Sequence, residues 1–228
     1  MKQGNIFLGV LGTSLLLLVI SLFFSSRQEE TPVQPQSLPW QIESTADGSI
    51  RVFDLLLGHS TVEDAIQRFN ENAVVSLFVS PENKRVVEVY FNNARLAGLN
   101  AKIVLSVAIN KAETARIYNH GTRISTLGDG SHKVTLSHDD LLRVKQSPIA
   151  TITYLPKTKL NSALLLARFG EPARRIRETK TGTQHWLYPS RGLDIAQDKD
   201  GQTVLQYLAP KAFEKVMKPL LEQGKEKF

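Results

Sequence analysis

The sequence predicts an α+β fold, in which an N-terminal transmembrane helix is followed by an antiparallel sheet with short helices. Three observations support this prediction. An apolar run without charge extends from Ile6 to Phe24, Asp-Gly pairs recur between strand-like segments, and short periodic segments with capping residues stand between the strands. A helix and a following pair of strands occur in both halves of the chain, so we expect two duplicated helix-plus-hairpin units.

The apolar run from Ile6 to Phe24 is close to the length of about 20 residues that spans the hydrocarbon core of a membrane. A cleaved signal peptide is the alternative, but its apolar region is usually about 7–15 residues long and ends at a small-x-small site. Cleavage after Ser25 or Ser26 would place a phenylalanine at the third position back, which fits such a site poorly. We therefore predict an uncleaved anchor over residues 1–26.

The charges that flank this run are balanced, with Lys2 on one side and Arg27 on the other. The short tail before the run favours an N terminus in the cytoplasm. The sequence thus predicts a single-pass protein of the bacterial inner membrane with its main domain in the periplasm. We expect a Pro/Gln-rich linker at 27–39, a first α+β unit at 40–155, and a second unit with a C-terminal helix at 156–228.

The hairpins are predicted by three Asp-Gly pairs between apolar segments, because both residues tolerate the positive φ of tight turns. These pairs are Asp47-Gly48, Asp129-Gly130 and Asp200-Gly201.

The helices are predicted by their start and stop signals. Ser60 with Glu63 forms a capping-box pattern, Asn161 precedes a helix that stops at Gly170, and Ser137 with Asp140 indicates another start. Two further helices are expected at Lys111–Asn119 and Pro210–Gln223.

Composition limits the chemistry that the chain can perform. The 228 residues include no cysteine, which excludes disulfides, thiolate metal sites and cysteine nucleophiles. The net charge of +6 suits an anionic partner, such as lipid headgroups or an acidic protein. Nucleic acid is not expected, because the predicted topology keeps it away and the aromatic stacking platform of single-strand binders is missing.

The segment DIAQDKDGQTVLQY raises the question of a metal site, since its centre looks like half of a calcium loop. In such a loop Ala196 and Tyr207 would stand at positions one and twelve, which require oxygen ligands. The 5 histidines show no metal-binding or catalytic spacing. We therefore predict no metal, no cofactor and no catalytic residues. Strand alternation places His185 on the opposite face from Trp186.

Two groups of residues are predicted to contact a partner. The stretch from Lys157 to Lys180 is strongly basic and suits anionic headgroups or an acidic protein, with a solvated charged loop as the alternative. The aromatic residues near it could form an exposed binding face, although such residues are more often core. The basic candidates are Arg168, Arg174, Arg175, Arg177 and Lys180, and the aromatic candidates are Trp40, Trp186 and Tyr188.

The clearest pattern lies in residues 160–210: a short helix, then the letters FGEP, a strand with Trp186 and Tyr188, a second strand, Asp-Gly, and a strand around Val204. This pattern resembles the repeat of the BamE-like (SmpA/OmlA) family of outer-membrane assembly lipoproteins and the related beta-lactamase-inhibitor-like domains. The chain departs from that family because it has no lipobox cysteine. The resemblance implies a small α+β layer that binds proteins and does not catalyse.

The sequence as a whole therefore predicts a membrane-anchored periplasmic binding or scaffold module that contacts envelope proteins or anionic lipid. An enzyme that acts on a wall polymer and a carrier of a small lipophilic ligand are the alternatives. A deep polar cleft would favour the enzyme, an enclosed apolar cavity the carrier, and a flat sheet with exposed aromatic residues the binding module.

Overall fold

Antiparallel strands dominate the computed structural model, which describes residues 38–96 and 98–226. A small sheet has the order β1-β2-β3 and a large sheet of 11 strands has the order β14-β10-β11-β12-β13-β9-β6-β5-β4-β8-β7. The strands of the small sheet are β1 (Glu43–Ser44), β2 (Ile50–Val52) and β3 (Leu55–Leu56). Those of the large sheet are β4 (Val74–Val79), β5 (Arg85–Leu96), β6 (Leu99–Val107), β7 (Arg123–Thr126), β8 (His132–Thr135), β9 (Ile149–Pro156), β10 (Arg174–Glu178), β11 (Gln184–Tyr188), β12 (Leu193–Gln197), β13 (Thr203–Leu208) and β14 (Gly224–Glu226).

The helices of the described residues are short, and the first four begin after a residue whose side chain caps the helix. They are α1 (Val62–Phe69), α2 (Lys111–Asn119), α3 (His138–Lys145), α4 (Ser162–Phe169) and α5 (Pro210–Gln223). The capping box of α1 uses Thr61 and Asp64 in place of Ser60 and Glu63, with Thr61 N–H donating to Asp64 Oδ2 at 2.7 Å. Asn161 caps α4 as predicted, accepting a hydrogen bond from the N–H of Leu164 at 2.8 Å.

All three Asp-Gly pairs lie in turns that join antiparallel strands, which confirms the hairpin predictions. In the turn between β12 and β13, Asp198 Oδ1 accepts hydrogen bonds from the N–H groups of Asp200 at 2.9 Å and Gln202 at 2.8 Å. The carboxylate thus closes its own turn in the manner of an Asx-turn.

Strand alternation gives the large sheet two faces with different cover. One, which we call the covered face, carries buried apolar side chains from the strands and packs against α1–α4. The helices contribute Ala65, Phe69, Ile117, Val144, Leu165 and Phe169 to this core.

The small sheet also packs on the covered face, and its anchor is Phe53. The side chain of Phe53 is fully buried, with its ring centroid 5.4 Å from that of Tyr154 and 5.5 Å from that of Tyr207. Phe53 and Asp54 form the turn between β2 and β3 with φ of 55° and 64°. Tight hairpin turns require such left-handed conformations and usually place Asn or Gly there. The burial of Phe53 therefore offsets an unfavourable backbone conformation.

The opposite face of the large sheet is covered at one end by α5. Phe213 and Met217 of this helix pack on Ile176, Leu187 and Leu208, which form a second, smaller core. Gly192 lies directly before β12, close to the end of β13.

Gly192 adopts φ of 58°, and a Cβ atom there would lie 2.0 Å from the carbonyl oxygen of Leu208. The N–H of Leu208 donates to the Gly192 carbonyl at 2.9 Å, so the two backbones are held close together. Only glycine fits this approach.

The predicted fold class is wrong. The described chain is mostly antiparallel sheet with a few short helices, not an α+β protein of two duplicated helix-plus-hairpin units. The physical reason is that β9 forms ladders with both β6 and β13, so strands from both halves join one continuous sheet.

The predicted N-terminal transmembrane helix was part of the same fold prediction, and its residues Ile6–Phe24 lie outside the described residues. None of the described helices combines the length and the apolar character needed to cross a membrane.

Candidate functional site

The part of the opposite face carried by β4, β5, β6 and β9 is a candidate binding surface, which we call the open face. Cross-strand register fixes which side chains share it, because residues directly opposite each other in antiparallel strands point to the same side. One row runs through Ser76, Glu88, Ser106 and Thr151. The next row runs through Val74, Tyr90, Val104 and Thr153, and Phe78 pairs with Val86 beside them.

Exposure separates the two faces of these strands. On the covered face Leu77, Val89 and Leu105 have no exposed surface. On the open face Val74 is 54% and Val86 is 40% exposed, and most of the other side chains are half-buried. Apolar, aromatic and hydroxyl side chains thus lie on a sheet surface that the described helices α1–α4 do not cover.

Several hydroxyl groups of the open face form hydrogen bonds with neighbouring side chains on the same face. Ser106 Oγ and Thr151 Oγ1 share a hydrogen bond of 2.5 Å, and Tyr90 O–H donates to Asn92 Oδ1 at 2.9 Å. Glu88 differs from its neighbours because none of the described residues forms an ion pair or hydrogen bond with its carboxylate. Its partial burial raises the pKa of Glu88 above the usual value for a glutamate.

A cavity of about 680 Å³ lies next to this face, under α5 and β14. Gln206 and Asp194 stand opposite each other in β13 and β12 and line its sheet side, and Gln206 is in turn opposite Thr153. The sheet wall of the cavity is therefore next to the second row of the open face. Its other walls combine polar residues of the β10–β11 turn with apolar residues of α5, including Met217 and Leu220.

His185 is the central group of the cavity and lies between two carboxylates. Its Nδ1 is 2.9 Å from Oδ2 and 3.1 Å from Oδ1 of Asp194, and its Nε2 is 3.4 Å from Oε1 of Glu178. Within the described residues Nε2 has no hydrogen-bond partner. The predicted alternation holds, since His185 faces α5 while Trp186 faces the core of the covered face.

The two carboxylates favour the protonated form of the imidazole. Burial lowers the pKa of His185, but the hydrogen bond and charge of Asp194, together with the charge of Glu178, outweigh it, so the pKa is raised overall. Burial raises the pKa of Asp194, and the hydrogen bond from His185 offsets only part of that effect.

The residues of the predicted basic site do not come together on one surface, because strand alternation divides them. Arg174 lies in β10 on the face that α5 covers, while Arg175 lies on the other, with its guanidinium 5.2 Å from the Trp186 ring. Arg175 also pairs with Glu171 Oε2 at 2.7 Å.

The other basic candidates are also dispersed. The guanidinium of Arg168 lies 4.8 Å from the ring of Trp40, Arg177 is exposed, and Lys180 lines the cavity. The predicted basic residues thus serve several local contacts.

The predicted aromatic residues lie mainly in the core. Trp186 is 3% and Tyr188 is 5% exposed, and the Tyr188 O–H donates to the carbonyl of Gly170 at 2.8 Å. Trp40 is half-buried and meets Phe169 edge to face at 6.4 Å. These rings therefore do not form an exposed face.

The aromatic residues of the open face, Tyr90 and Phe78, were missed as candidates. The signal that could have found them is in the letters RVVEVYF of β5, where both alternating sets of positions include apolar residues. A strand with one fully solvated face would show polar residues at alternate positions.

Comparison with known proteins assigns the chain to no family. No family model matches the chain, and no curated protein or solved structure does so either. The fold and site define the protein only as an antiparallel sheet protein with one helix-covered face and one partly open face.

Proposed function

We propose that the protein is a non-catalytic binding module whose open face contacts another protein of the cell envelope. The observation that carries this proposal is the open face itself: half-buried Tyr90, Val104 and Phe78 with exposed Val74 and Val86 on a four-stranded sheet surface. Exposed apolar patches rimmed by polar groups mark interaction sites. At about 4.8 Å between strands, the surface spans about 14 Å, which accommodates a helix of about 10–12 Å diameter.

The cavity at His185 supports binding over catalysis. Nucleophilic catalysis of the serine or cysteine type places a hydroxyl or thiol within hydrogen-bond reach of the imidazole, and here a carboxylate of Glu178 faces Nε2. The walls of the cavity also argue against a carrier of lipophilic molecules, because Glu178, His185 and Asp194 would lose solvation to an apolar ligand.

The envelope location in this proposal comes from the apolar run of Ile6–Phe24, and it includes the bacterial inner membrane with the main domain in the periplasm. Reporter fusions test it: alkaline phosphatase fused after Phe228 should be active, and a cytoplasmic reporter there should be inactive. The opposite pattern would overturn the location without affecting the open face.

The proposed kinship with the BamE-like family concerns residues 160–210 and agrees with the binding function. Its support is the order of elements there, in which α4 is followed by the antiparallel strands β10 to β13. A role in contacting envelope proteins is what that resemblance implies.

Site-specific photo-crosslinking in the cells that make the protein tests the binding function. A photoreactive amino acid replaces Tyr90 or Val86 on the open face and, as a matched control, Leu142 on α3, which is 50% exposed. We expect a discrete crosslinked product from the open-face positions and none from Leu142. Equal crosslinking from all three positions, or none from the open face, would contradict the proposal.

A further inference from the structure

Glu88 gives the open face a chemical preference. It sits between Ser76 of β4 and Ser106 of β6, and its neighbours along β5 on this face are Val86 and Tyr90. Serine hydroxyls and apolar side chains leave the carboxylate without a cation among the described residues. An unpaired carboxylate with restricted solvation is less stable than one in water, and a cation brought to it would recover that energy.

The charge at the centre of the face also disfavours two other occupants. A second copy of the chain docked through the same face by two-fold symmetry would bring one Glu88 towards the other, because such interfaces are self-complementary. Like charges brought together at an interface disfavour such a complex strongly. A membrane rich in anionic headgroups would be repelled by the same carboxylate.

The margin of the face has the opposite charge. Lys133 stands opposite Phe78 in β8, with its Nζ 6.0 Å from the Phe78 ring, and Lys102 lies two residues before Val104 in β6 and is exposed. A partner surface complementary to the central carboxylate and to the lysines at the margin carries a basic side chain at its centre and acidic side chains around it. Arginine suits the central position because its planar guanidinium can pair with both carboxylate oxygens and stack on the adjacent tyrosine.

We propose that the open face recognises a protein surface that presents a lysine or, preferentially, an arginine to Glu88, with Tyr90 and Val104 packing around the charged pair. This inference rests on the proposed function and specifies its partner. Most of the specificity lies in the central pair, because a desolvated charge pair discriminates against partners that leave either charge unpaired.

The test uses the immobilised full chain and a display library of random short peptides. Each selected peptide is tested against the unchanged chain and against the Tyr90→Glu variant. A peptide that binds the unchanged chain but not the variant is taken to bind the open face. Among such peptides we expect enrichment of Arg and Lys over the input library. Their binding should weaken by about tenfold or more in Glu88→Lys and by a smaller factor in Glu88→Gln. Glu214→Lys, on the exposed side of α5, makes the same charge change elsewhere and should leave binding unchanged.

The outcomes separate the two proposals. If face-dependent peptides lack basic residues, or bind Glu88→Lys as well as the unchanged chain, the assignment to Glu88 is overturned while the binding face stands. If no peptide depends on Tyr90, the proposed function itself fails. Phosphatidylglycerol vesicles are the second probe, and vesicle binding that Tyr90→Glu abolishes would replace the protein partner with a lipid surface. Thermal unfolding of each variant confirms that Glu88→Gln, at least, remains folded.

Discussion

Replacing Phe53 with alanine and, separately, with glycine tests how burial and backbone conformation compete in the small sheet. Phe53→Ala removes a fully buried ring that packs on two tyrosines, so we expect a loss of about 3–5 kcal/mol in the free energy of unfolding. Alanine retains the cost of a positive φ, which is of order 1 kcal/mol or more, whereas glycine does not.

Glycine should therefore be at least as well tolerated as alanine at this position. The greater entropy of glycine in the unfolded chain costs about 0.4–1 kcal/mol, which the relief of φ strain at least matches. We expect the free energy of unfolding of Phe53→Gly to equal that of Phe53→Ala or to be higher by up to about 1 kcal/mol. At Val87, which is buried in the middle of β5, the usual order should hold, with Val87→Gly about 1 kcal/mol less stable than Val87→Ala.

Urea denaturation of the full chain, followed by the fluorescence of its 2 tryptophans, measures these differences. The half-buried Trp40 and the buried Trp186 both change environment on unfolding. If Phe53→Gly were less stable than Phe53→Ala by the same margin as the pair at Val87, the left-handed conformation would not carry the cost that we assign to it.

Three further predictions concern other parts of the fold. Gly192→Ala should lower the free energy of unfolding by about 2 kcal/mol or more, because its Cβ would meet a backbone carbonyl of β13 at 2.0 Å. Gly201→Ala, with φ of 79° but with only the Lys159 side chain nearby at 3.9 Å, should cost about 1 kcal/mol, and equal losses in urea denaturation would refute the steric argument. The raised pKa of His185 contributes stability that is fully present below about pH 6.5 and is lost as the pH rises through the folded value. The His185→Gln variant should lack this dependence, and a denaturation midpoint that varies with pH equally in both proteins would contradict the assignment. Tyr154→Phe should be neutral or stabilising, because within the described residues its buried hydroxyl has no partner. Tyr207→Phe should cost about 1 kcal/mol, because its hydroxyl donates to a backbone carbonyl at 2.8 Å, and thermal unfolding of the two variants should separate them.

The local signals of the sequence were sufficient for the Asp-Gly turns and for the starts of α3 and α4, whereas the capping box of α1 lies one residue later than predicted. Asp-Gly pairs and the capping residues Asn161 and Ser137 act within a few residues of chain, so their geometry is encoded where they stand. Strand β10 was not predicted, because its letters RRIRE contain a single apolar residue, Ile176. That strand forms because β11 on one side and β14 on the other supply its hydrogen bonds.

The candidate site was harder to predict than the turns. The basic residues are close in sequence, but the period of two in a strand places Arg174 and Arg175 on opposite faces. Trp186 and Tyr188 were ambiguous between core and surface, since their burial depends on packing between distant segments, such as that of Phe169 in α4 against Tyr188. The open face depends on strands as distant in sequence as β4 and β9, which are joined through β5 and β6, and no local pattern predicts that they belong to one sheet.

The position of β9 has a consequence for the newly made chain. Because β9 lies between β6 and β13, the strands from β4 to β9 are complete while the partner on the other side of β9 is still to be synthesised, at about 5–20 residues per second. During that interval Ile149–Pro156 is an edge strand with unpaired backbone groups and several β-branched residues, which is a template for aggregation. A stalled or truncated chain that stops before Thr203 would keep this edge, so its solubility should depend on chaperones that cover it.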